Sequence, residues 1–362
     1  MFKNYLKIAW RNLSVSKGFS LLNILGLAVG MAGAMLIFAW IENEVTYDDF
    51  HTNKNELYKV YNRVSYKGQT NVWDITSSPV AAALVSDYPE VKYAARVYWP
   101  NTLLFSSGER SLKATGHDVD KAFLKMFSFP LLKGNNAHAL DDAGNIVVTE
   151  KLAKKLFGDT DPLGKLIRVD SKDSYKISGV LKDLPNNTQF DFEYLRSLAN
   201  NEKYYTDGSW GNYSYSTYVQ LQPHQSIDKV NQKIKNTILK RAPLTEAEIF
   251  LHPINKWRLY SRFENGKIVG GRIEVVRLLA VIAGLILLIA CINFMNLSTA
   301  RSEKRAKEVG VRKVMGARRG ALIRQFLTES ILIAFMAGCL ALVLVQLLLP
   351  ALNQVTQKKK WC

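Results

Sequence analysis

The chain has 362 residues, of which 48% are hydrophobic and 22% charged, so its composition supports a packed core and excludes wholesale disorder. The net charge is +17, from 48 Lys and Arg against 31 Asp and Glu, a balance that by itself is compatible with nucleic-acid binding. The three cysteines (Cys291, Cys339 and Cys362) are too few for a disulfide framework.

Residues 1–18 are predicted to contain a cytoplasmic amphipathic helix. Apolar side chains follow one face of residues 2–16, and basic side chains repeat at four-residue spacing on another. Such a helix is suited to lie on a lipid surface with anionic headgroups. Its interfacial residues would be Lys3, Lys7, Trp10 and Arg11. The alternative is a basic leader that only sets the membrane orientation.

Three uncharged stretches are long enough to cross a bilayer. Phe19–Ile41 and Leu278–Ala300 contain 23 residues each, and Ile331–Leu352 contains 22. At about 1.5 Å of rise per residue, each helix would exceed the roughly 30 Å hydrocarbon core. Cleavage of the first stretch as a signal peptide is disfavoured, because its apolar character continues to its end. The predicted transmembrane helices are 19–41, 275–300 and 330–352.

The distribution of charge orients these helices. Residues 1–18 carry four basic and no acidic side chains, and residues 298–329 carry nine basic and three acidic ones. The positive-inside rule therefore predicts a cytoplasmic N-terminus, a cytoplasmic loop at 301–329 and an extracytoplasmic segment at 42–272. That segment has 31 basic and 27 acidic residues, so the high net charge mainly reflects membrane orientation. Nucleic acid is not an expected partner.

Residues 42–272 combine helical and strand patterns, which is typical of an α+β domain. The predicted strands are Leu57–Tyr66 and Ser174–Lys182, and the predicted helices are Pro79–Asp87, Asp120–Phe127, Glu150–Phe157 and Ile227–Arg241. Alternation from Tyr213 to Gln222 predicts a half-buried strand with one core face. No cysteine lies in this segment, so core packing must stabilise it.

The same segment lacks the patterns of a catalytic or metal site. Gly158 and Gly164-Lys165 resemble a P-loop, but the spacing is one residue too long and Leu166 occupies the position of the Mg²⁺-binding hydroxyl. The five histidines are scattered, without an HExxH or CxxC partner. We therefore expect no catalytic residues, no metal and no enzymatic activity on this chain.

Small and polar residues interrupt the apolar helices. Small residues let helix backbones approach in lipid, and the predicted packing positions are Gly26, Gly30, Gly33, Ala334 and Gly338. The polar residues at membrane depth are expected to hydrogen-bond to neighbouring helices, with a polar transport path as the alternative: Asn23, Asn293, Asn296 and Gln346. No helix has Asp, Glu or Arg at its centre, which favours ATP-driven coupling over an ion-driven carrier.

The loop at 301–329 contains a short predicted helix. Val311, Val314 and Met315 fall on one edge of it, and Gly316 can end it. An apolar edge with a basic flank at the membrane surface is suited to dock against a partner. A solvated basic loop is the alternative.

This loop resembles a known family. Glu308–Ala317, followed by Gln325–Ser330, is similar to the permease signature of MacB/FtsX-type ABC transporters. In that family the segment is the coupling helix that contacts a cytoplasmic ATPase. By this resemblance, the coupling residues would be Glu308, Gly310, Val311, Arg312, Lys313, Met315, Gly316 and Ala317. Lys7–Leu13 and Asn23–Gly30 are similar to the family's entry helix and first span.

Three external strings resemble the family's periplasmic core domain: Asn43–His51, Lys155–Lys165 and Ile177–Asn187. With the membrane segments, the resemblance covers nearly the whole chain. It implies a part rooted at the membrane and an inserted lobe at about 120–210. The expected fold is therefore an α-helical membrane protein with three transmembrane helices and a large α+β extracytoplasmic domain.

The resemblance also implies a function. The chain would be the permease subunit of an ABC transporter in the bacterial cytoplasmic membrane, working by mechanotransmission to export antimicrobial peptides, macrolides or lipid-linked cargo. ATP and Mg²⁺ would bind the partner ATPase and not this chain. Other expected partners are the lipid bilayer, a second permease half or a homodimer, and periplasmic or outer-membrane components.

Residues 353–362 form a short tail where the family usually adds a fourth span. We therefore expect a truncated chain or a half that needs a partner. Two alternatives to transport are a membrane-anchored periplasmic protein that regulates an envelope enzyme or senses a ligand, and a non-functional fragment.

Overall fold

The computed structural model describes residues 10–11, 17–200, 208–304, 310–311, 314–315 and 319–355. Contacts divide the chain into two units. The helical unit comprises Met1–Asn43 and Glu274–Cys362, and the α+β unit comprises Glu44–Ile273.

The helices, in chain order, are α1 (Lys17–Val45), α2 (Pro79–Asp87), α3 (Phe123–Met126), α4 (Glu150–Phe157), α5 (Ile227–Ile234), α6 (Ile254–Trp257), α7 (Arg272–Lys304) and α8 (Arg319–Val355). The strands are β1 (Leu57–Tyr66), β2 (Gln69–Trp73), β3 (Thr76–Ser77), β4 (Val91–Val97), β5 (Asn101–Ser107), β6 (Arg110–Val119), β7 (Leu131–Gly134), β8 (Asn145–Thr149), β9 (Leu166–Val169), β10 (Asp173–Leu181), β11 (Tyr194–Ser197), β12 (Tyr213–Leu221), β13 (Ala247–Pro253), β14 (Arg262–Glu264) and β15 (Lys267–Gly270).

Three of these helices, α1, α7 and α8, are long and apolar enough to cross a membrane. They contain the uncharged stretches 19–41, 278–300 and 331–352, and each helix continues beyond its stretch into polar residues. Together with the α+β unit, they confirm the predicted fold class. Within the helical unit, small residues such as Ala28, Ala290 and Ala337 form the buried contact between helices.

One part of the α+β unit is a split β-α-β arrangement. Four antiparallel strands lie in the order β4-β12-β1-β13, with α2 connecting β1 to β4 and α5 connecting β12 to β13. The two helices bury Val80, Leu84, Val230 and Ile234 against one face of the sheet. This packing satisfies the apolar faces of both layers.

Strands β5 to β11 are inserted in the sequence between β4 and β12, whereas β2 and β3 pair with β1 and β12. Pairings join six of the inserted strands in a closed ring, β6-β5-β9-β10-β8-β11 and back to β6. Closure leaves these strands without a free edge. The buried pair of Arg196 and Asp118 lies between the neighbouring β11 and β6, with Nε to Oδ1 at 2.6 Å. The ring begins at β5, about twenty residues before the predicted start of the lobe at 120.

The prediction of a half-buried strand near Tyr213 is wrong for most of β12. Side chains from Thr217 to Leu221 are buried on both faces of the sheet. Val219 lies under the helices, whereas Tyr218 belongs to an aromatic cluster with Phe190 and Trp257 on the opposite face. Alternation failed as a signal because Tyr218 has a polar tip but buries its ring.

Two of the predicted helices are shorter than expected. Residue Asp120 lies outside α3 because Arg96 binds its carboxylate through the main chain, Nε and Nη2. Helix α5 ends at Ile234, where the amide and the hydroxyl of Thr237 both donate to the Ile234 carbonyl, at 2.9 and 2.6 Å. A local hydrogen bond such as that of the Thr237 hydroxyl competes with helix propagation.

Candidate functional site

A buried carboxylate lies at the end of α1. Glu44 has no exposed surface, and both of its oxygens contact Arg258, with Nε to Oε2 at 2.7 Å and Nη2 to Oε1 at 3.0 Å. Arg272, the first residue of α7, contacts Oε2 from Nη1 at 3.4 Å. A bidentate arginine–carboxylate pair fixes both distance and orientation. Glu44 therefore links the last turn of α1, the residue after α6 and the start of α7.

Asp48 anchors the turn that follows α1. Its carboxylate accepts hydrogen bonds from the Thr188 hydroxyl at 2.5 Å, the Gln189 amide at 3.0 Å and the Trp257 indole at 3.0 Å. Its own amide donates to the Asn187 carbonyl at 2.8 Å, and its φ of 59° is a left-handed conformation that aspartate tolerates. The turn is therefore held from two other segments of the α+β unit.

The electrostatics of Asp48 reflect its burial. Burial raises the pKa of the Asp48 carboxyl to about 6. The hydrogen bonds from Thr188, Gln189 and Trp257 act in the opposite direction and lower this pKa, but burial is the larger effect. A buried carboxylate is costly unless donors satisfy it, and here three donors do so.

Aromatic rings connect these carboxylates to the core. The Arg258 guanidinium lies 3.7 Å from the centroid of the Tyr47 ring, and Trp257 packs edge-on against Tyr218 at 5.6 Å. We call Glu44, Asp48, Trp257, Arg258 and Arg272 the helix-end cluster. It is continuous with the aromatic core of the α+β unit.

The helix-end cluster was not predicted, although two of the strings singled out in the sequence meet there. Asn43–His51 contains Glu44 and Asp48, and Ile177–Asn187 supplies Asn187, whose amide donates to the Thr46 carbonyl at 3.1 Å. The sequence offered no signal for Arg258 or Arg272, since they lie 214 and 228 positions from Glu44.

The predicted coupling residues are described only in part. Gly310, Val311 and Met315 lie within the described residues, whereas Glu308, Arg312, Lys313, Gly316 and Ala317 lie outside them. The Met315 amide donates to the Val311 carbonyl at 3.0 Å, which is a helical turn. The apolar edge is exposed, with 60% of Val311, 90% of Val314 and 81% of Met315 accessible.

The predicted interfacial helix is also described only in part. Trp10 is 61% exposed, and Arg11 is exposed as well. Trp10 lines an apolar cavity of about 350 Å³ in the helical unit, together with Leu21, Ile24 and Met336. Lys3 and Lys7 lie outside the described residues.

The predicted packing positions lie at helix contacts of the helical unit. A Cβ added to Gly30 would overlap the Ala290 Cβ, and one added to Gly26 would lie 3.2 Å from the Asn293 side chain. Cβ atoms added to Gly33 and Gly338 would meet Ile286 and Met31 at 3.9 and 3.7 Å. Ala334 is partly buried in the same cluster of small residues.

One expectation about the membrane helices is wrong. Asn23 is buried, but neither atom of its side-chain amide has a hydrogen-bond partner in the described part of the chain. Among the described residues, the predicted hydrogen bond from Asn23 to a neighbouring helix is therefore not formed.

No group of three His, Cys, Asp or Glu side chains among the described residues is arranged to hold a metal ion. The isolated buried histidines, His51 and His252, instead pack against aromatic rings. Their environment is that of core residues.

Comparison with known proteins gives matches to two families. The family described as MacB-like periplasmic core domain matches residues 20–237, and that described as FtsX-like permease C-terminal matches residues 280–361. The uncharacterized ABC transporter permease YknZ of Bacillus subtilis (strain 168) is 25% identical over 92% of this chain and 83% of its own length.

The pyoverdine export ATP-binding/permease protein PvdT of Pseudomonas syringae pv. tomato is 26% identical over 94% of this chain. The chain spans 51% of PvdT, about half of that relative. A solved domain of a putative permease from Porphyromonas gingivalis is 23% identical, with a TM-score of 0.48 over 56% of this chain and 92% of that domain.

Proposed function

Because the chain belongs to the MacB/FtsX-type family of ABC transporter permeases, we propose that it couples a separate cytoplasmic ATPase to movement of its α+β unit. The observation that carries this proposal is the helix-end cluster. In it, Glu44 joins the end of α1 and the start of α7 to Arg258.

The cluster is suited to transmit displacement of a helix. Glu44 is fully buried and Arg258 is largely buried, so separating them would leave an uncompensated charge away from water. Breaking such a pair costs about 3–5 kcal/mol. A small shift of α1 would therefore carry Arg258 and the neighbouring Trp257 with it instead of being absorbed at the helix end.

The ATPase would contact residues 308–317. The exposure of Val311, Val314 and Met315 supports this docking role, because exposed apolar side chains in a cluster are typical of an interaction surface. The flanking Arg312 and Lys313 would add charge complementarity. ATP and Mg²⁺ would bind the ATPase.

The chain is a membrane protein, and we place its N-terminus and residues 301–329 in the cytoplasm and residues 42–272 in the periplasm. A second permease half or a second copy would complete the translocation unit, with periplasmic or outer-membrane components as further partners. Export of antimicrobial peptides, macrolides or lipid-linked cargo is the proposed activity, and the export function in the name of PvdT supports the direction.

The test is purification of the full chain from its native membrane in mild detergent, followed by mass spectrometry of the proteins that accompany it. We expect a Walker-motif ATPase, whose recovery falls at least tenfold in the double variant Arg312→Glu with Lys313→Glu. The matched control is Lys151→Glu with Lys154→Glu, the same charge change on the exposed face of α4, which should retain the ATPase.

Unchanged ATPase recovery in the Arg312 and Lys313 variant would contradict the docking role. Recovery of the wild-type chain alone would instead favour a periplasmic binding or regulatory protein without an ATPase. The coupling role of the helix-end cluster is tested separately by Glu44→Gln, which should retain the ATPase but lose export.

A further inference from the structure

A cavity of about 400 Å³ lies in the α+β unit beside the helix-end cluster. Three cationic side chains line it, Lys59, Arg258 and Arg272, together with one carboxylate, Asp74. Three aromatic side chains, Tyr61, Trp257 and Phe263, form another part of the wall. The lining therefore combines an excess of positive charge with an apolar surface.

The three cations of the wall differ in how many of their N–H donors already contact a carboxylate of the protein. Arg258 uses Nε and Nη2 on Glu44, and Lys59 uses one donor on Asp74 at 2.6 Å. Arg272 has one contact among the described residues, the 3.4 Å approach to Glu44, and its side chain is 52% exposed. Most of the five donors of the Arg272 guanidinium are therefore available to a ligand.

Two further carboxylates lie behind the wall and offset part of its positive charge. Glu44 and Asp48 are 0% and 1% exposed, so neither can touch a molecule in the cavity. They hold Arg258 and Trp257 in place from behind. An anion entering the cavity would thus meet the donors of Arg272 and Lys59, with Asp74 as the only exposed carboxylate of the described wall.

The aromatic side of the wall suits the carbon skeleton of an amphiphile. The Tyr61 and Phe263 rings lie 5.3 Å apart, and both pack on His252. Burial lowers the pKa of His252 to about 4, so this side of the cavity stays uncharged at neutral pH. Apolar rings next to cations can bind glycerol carbons and a phosphate together.

The position of Arg272 in the chain indicates where such a ligand comes from. Arg272 begins α7, and the uncharged stretch of that helix starts six residues later, at Leu278. Six residues of α-helix span about 9 Å, which brings Arg272 to the level of the lipid headgroups. Phosphate is the anion that is abundant there.

We propose that this cavity binds the phosphate of an anionic phospholipid from the leaflet that α7 enters. Arg272 and Lys59 contact the phosphate, and Tyr61 and Phe263 pack against the glycerol. The site goes beyond the proposed coupling function, since binding needs neither the ATPase nor a transported cargo. Lipid bound there would sit directly against the helix-end cluster.

The experiment is native mass spectrometry of the full chain released from detergent micelles with increasing phosphatidylglycerol or phosphatidylcholine. We expect one phosphatidylglycerol to bind at least tenfold more tightly than phosphatidylcholine, and millimolar glycerol 3-phosphate to compete weakly. Equal binding of the two lipids would overturn the proposal. So would tight binding of glycerol 3-phosphate or inorganic phosphate without any lipid preference, which would indicate a soluble anion as the ligand.

Matched variants separate this site from general attraction of arginines to a membrane. Arg272→Gln should weaken phosphatidylglycerol binding at least tenfold, whereas Arg277→Gln should not, because Arg277 is exposed on the same helix but does not line the cavity. Equal losses in both variants would overturn the proposal.

Phe263→Leu tests the aromatic wall without touching Glu44. It should weaken binding several-fold at unchanged charge, and unchanged affinity would contradict the assigned wall. Thermal unfolding of each variant without added lipid shows whether it is folded, so a loss of binding in a folded Phe263→Leu chain is informative even if Arg272→Gln is unstable.

Discussion

The Oε2 atom of Glu44 lies 2.7 Å from the Nε atom of Arg258, although 214 positions of sequence separate the two residues. The carboxylate is inaccessible to water, and 15% of the arginine side chain is exposed. In such surroundings the pair is worth more as a geometric constraint than as a source of net stability, because desolvation offsets most of the attraction. The pair lies at the end of α1, where a displacement of this helix would have to be transmitted to the α+β unit.

Glu44→Gln should destabilise the α+β unit by about 3 kcal/mol, since it leaves the Arg258 guanidinium buried without its counter-charge. The measurement is urea unfolding of the full chain in detergent, followed by tryptophan fluorescence, because Trp257 adjoins the pair.

The control for Glu44→Gln is Glu42→Gln, which removes an exposed carboxylate from the same turn of α1. We expect that variant to stay within about 0.5 kcal/mol of wild type. Equal losses for Glu42→Gln and Glu44→Gln would show that helix charge, and not the buried pair, governs the effect.

Asp48 should make the stability of the α+β unit depend on pH. Its pKa is about 6 in the folded chain and lies near 3.8 in a solvated chain, so the folded state binds the proton more tightly. The contribution of this group to stability therefore increases as pH falls from about 6 towards 4, and it is lost as pH rises through about 6. The pKa difference corresponds to about 3 kcal/mol at most.

The variant Asp48→Asn isolates this contribution. Between pH 7 and pH 4.5, wild type should gain stability relative to Asp48→Asn in urea unfolding. His51 and His252, whose pKa values burial lowers to about 4, act in the opposite direction in both proteins and cancel in the comparison. A difference that stays constant with pH would mean that Asp48 is ionised throughout.

Gly30→Ala should loosen the contact between α1 and α7 by about 1–3 kcal/mol, because the new methyl group would overlap the Ala290 side chain. Ala290→Gly in the same chain should restore most of the loss, since it moves the methyl group from one helix to the other. The measurement is unfolding in increasing mole fractions of SDS, followed by circular dichroism.

Gly284→Ala is the matched control for Gly30→Ala. It places the same methyl group on α7 where, apart from its own helix backbone, no atom of the described residues lies within 4 Å, so we expect no loss. Failure of Ala290→Gly to rescue Gly30→Ala would contradict this helix contact.

Predictions from the sequence succeeded where a property is local. An apolar stretch such as Leu278–Ala300 fixes a membrane-length helix by composition alone, and Pro79–Asp87 and Glu150–Phe157 appear as helices with the predicted bounds. The predicted strand Leu57–Tyr66 is likewise present in full. In each case the pattern of side chains over a few turns or residues carries the information.

Predictions failed where a partner from elsewhere decides the outcome. Alternation near Tyr218 predicts one buried face, but β12 lies between β1 and β4 with packing on both faces. Asn23 has an amide suited to cross-link helices, yet no donor or acceptor of the described residues comes within reach.

The sequence by itself determined the class of this protein: three membrane-length helices, an α+β unit between the first two, and the strings of a permease family. Only the tertiary structure decided that Arg258 and Arg272 meet at the buried carboxylate of Glu44, and that a cationic cavity opens beside them. The physical reason is that helix length and hydropathy are properties of contiguous residues, whereas the pairing of a carboxylate with an arginine 214 positions away depends on where the intervening sheet places the two backbones.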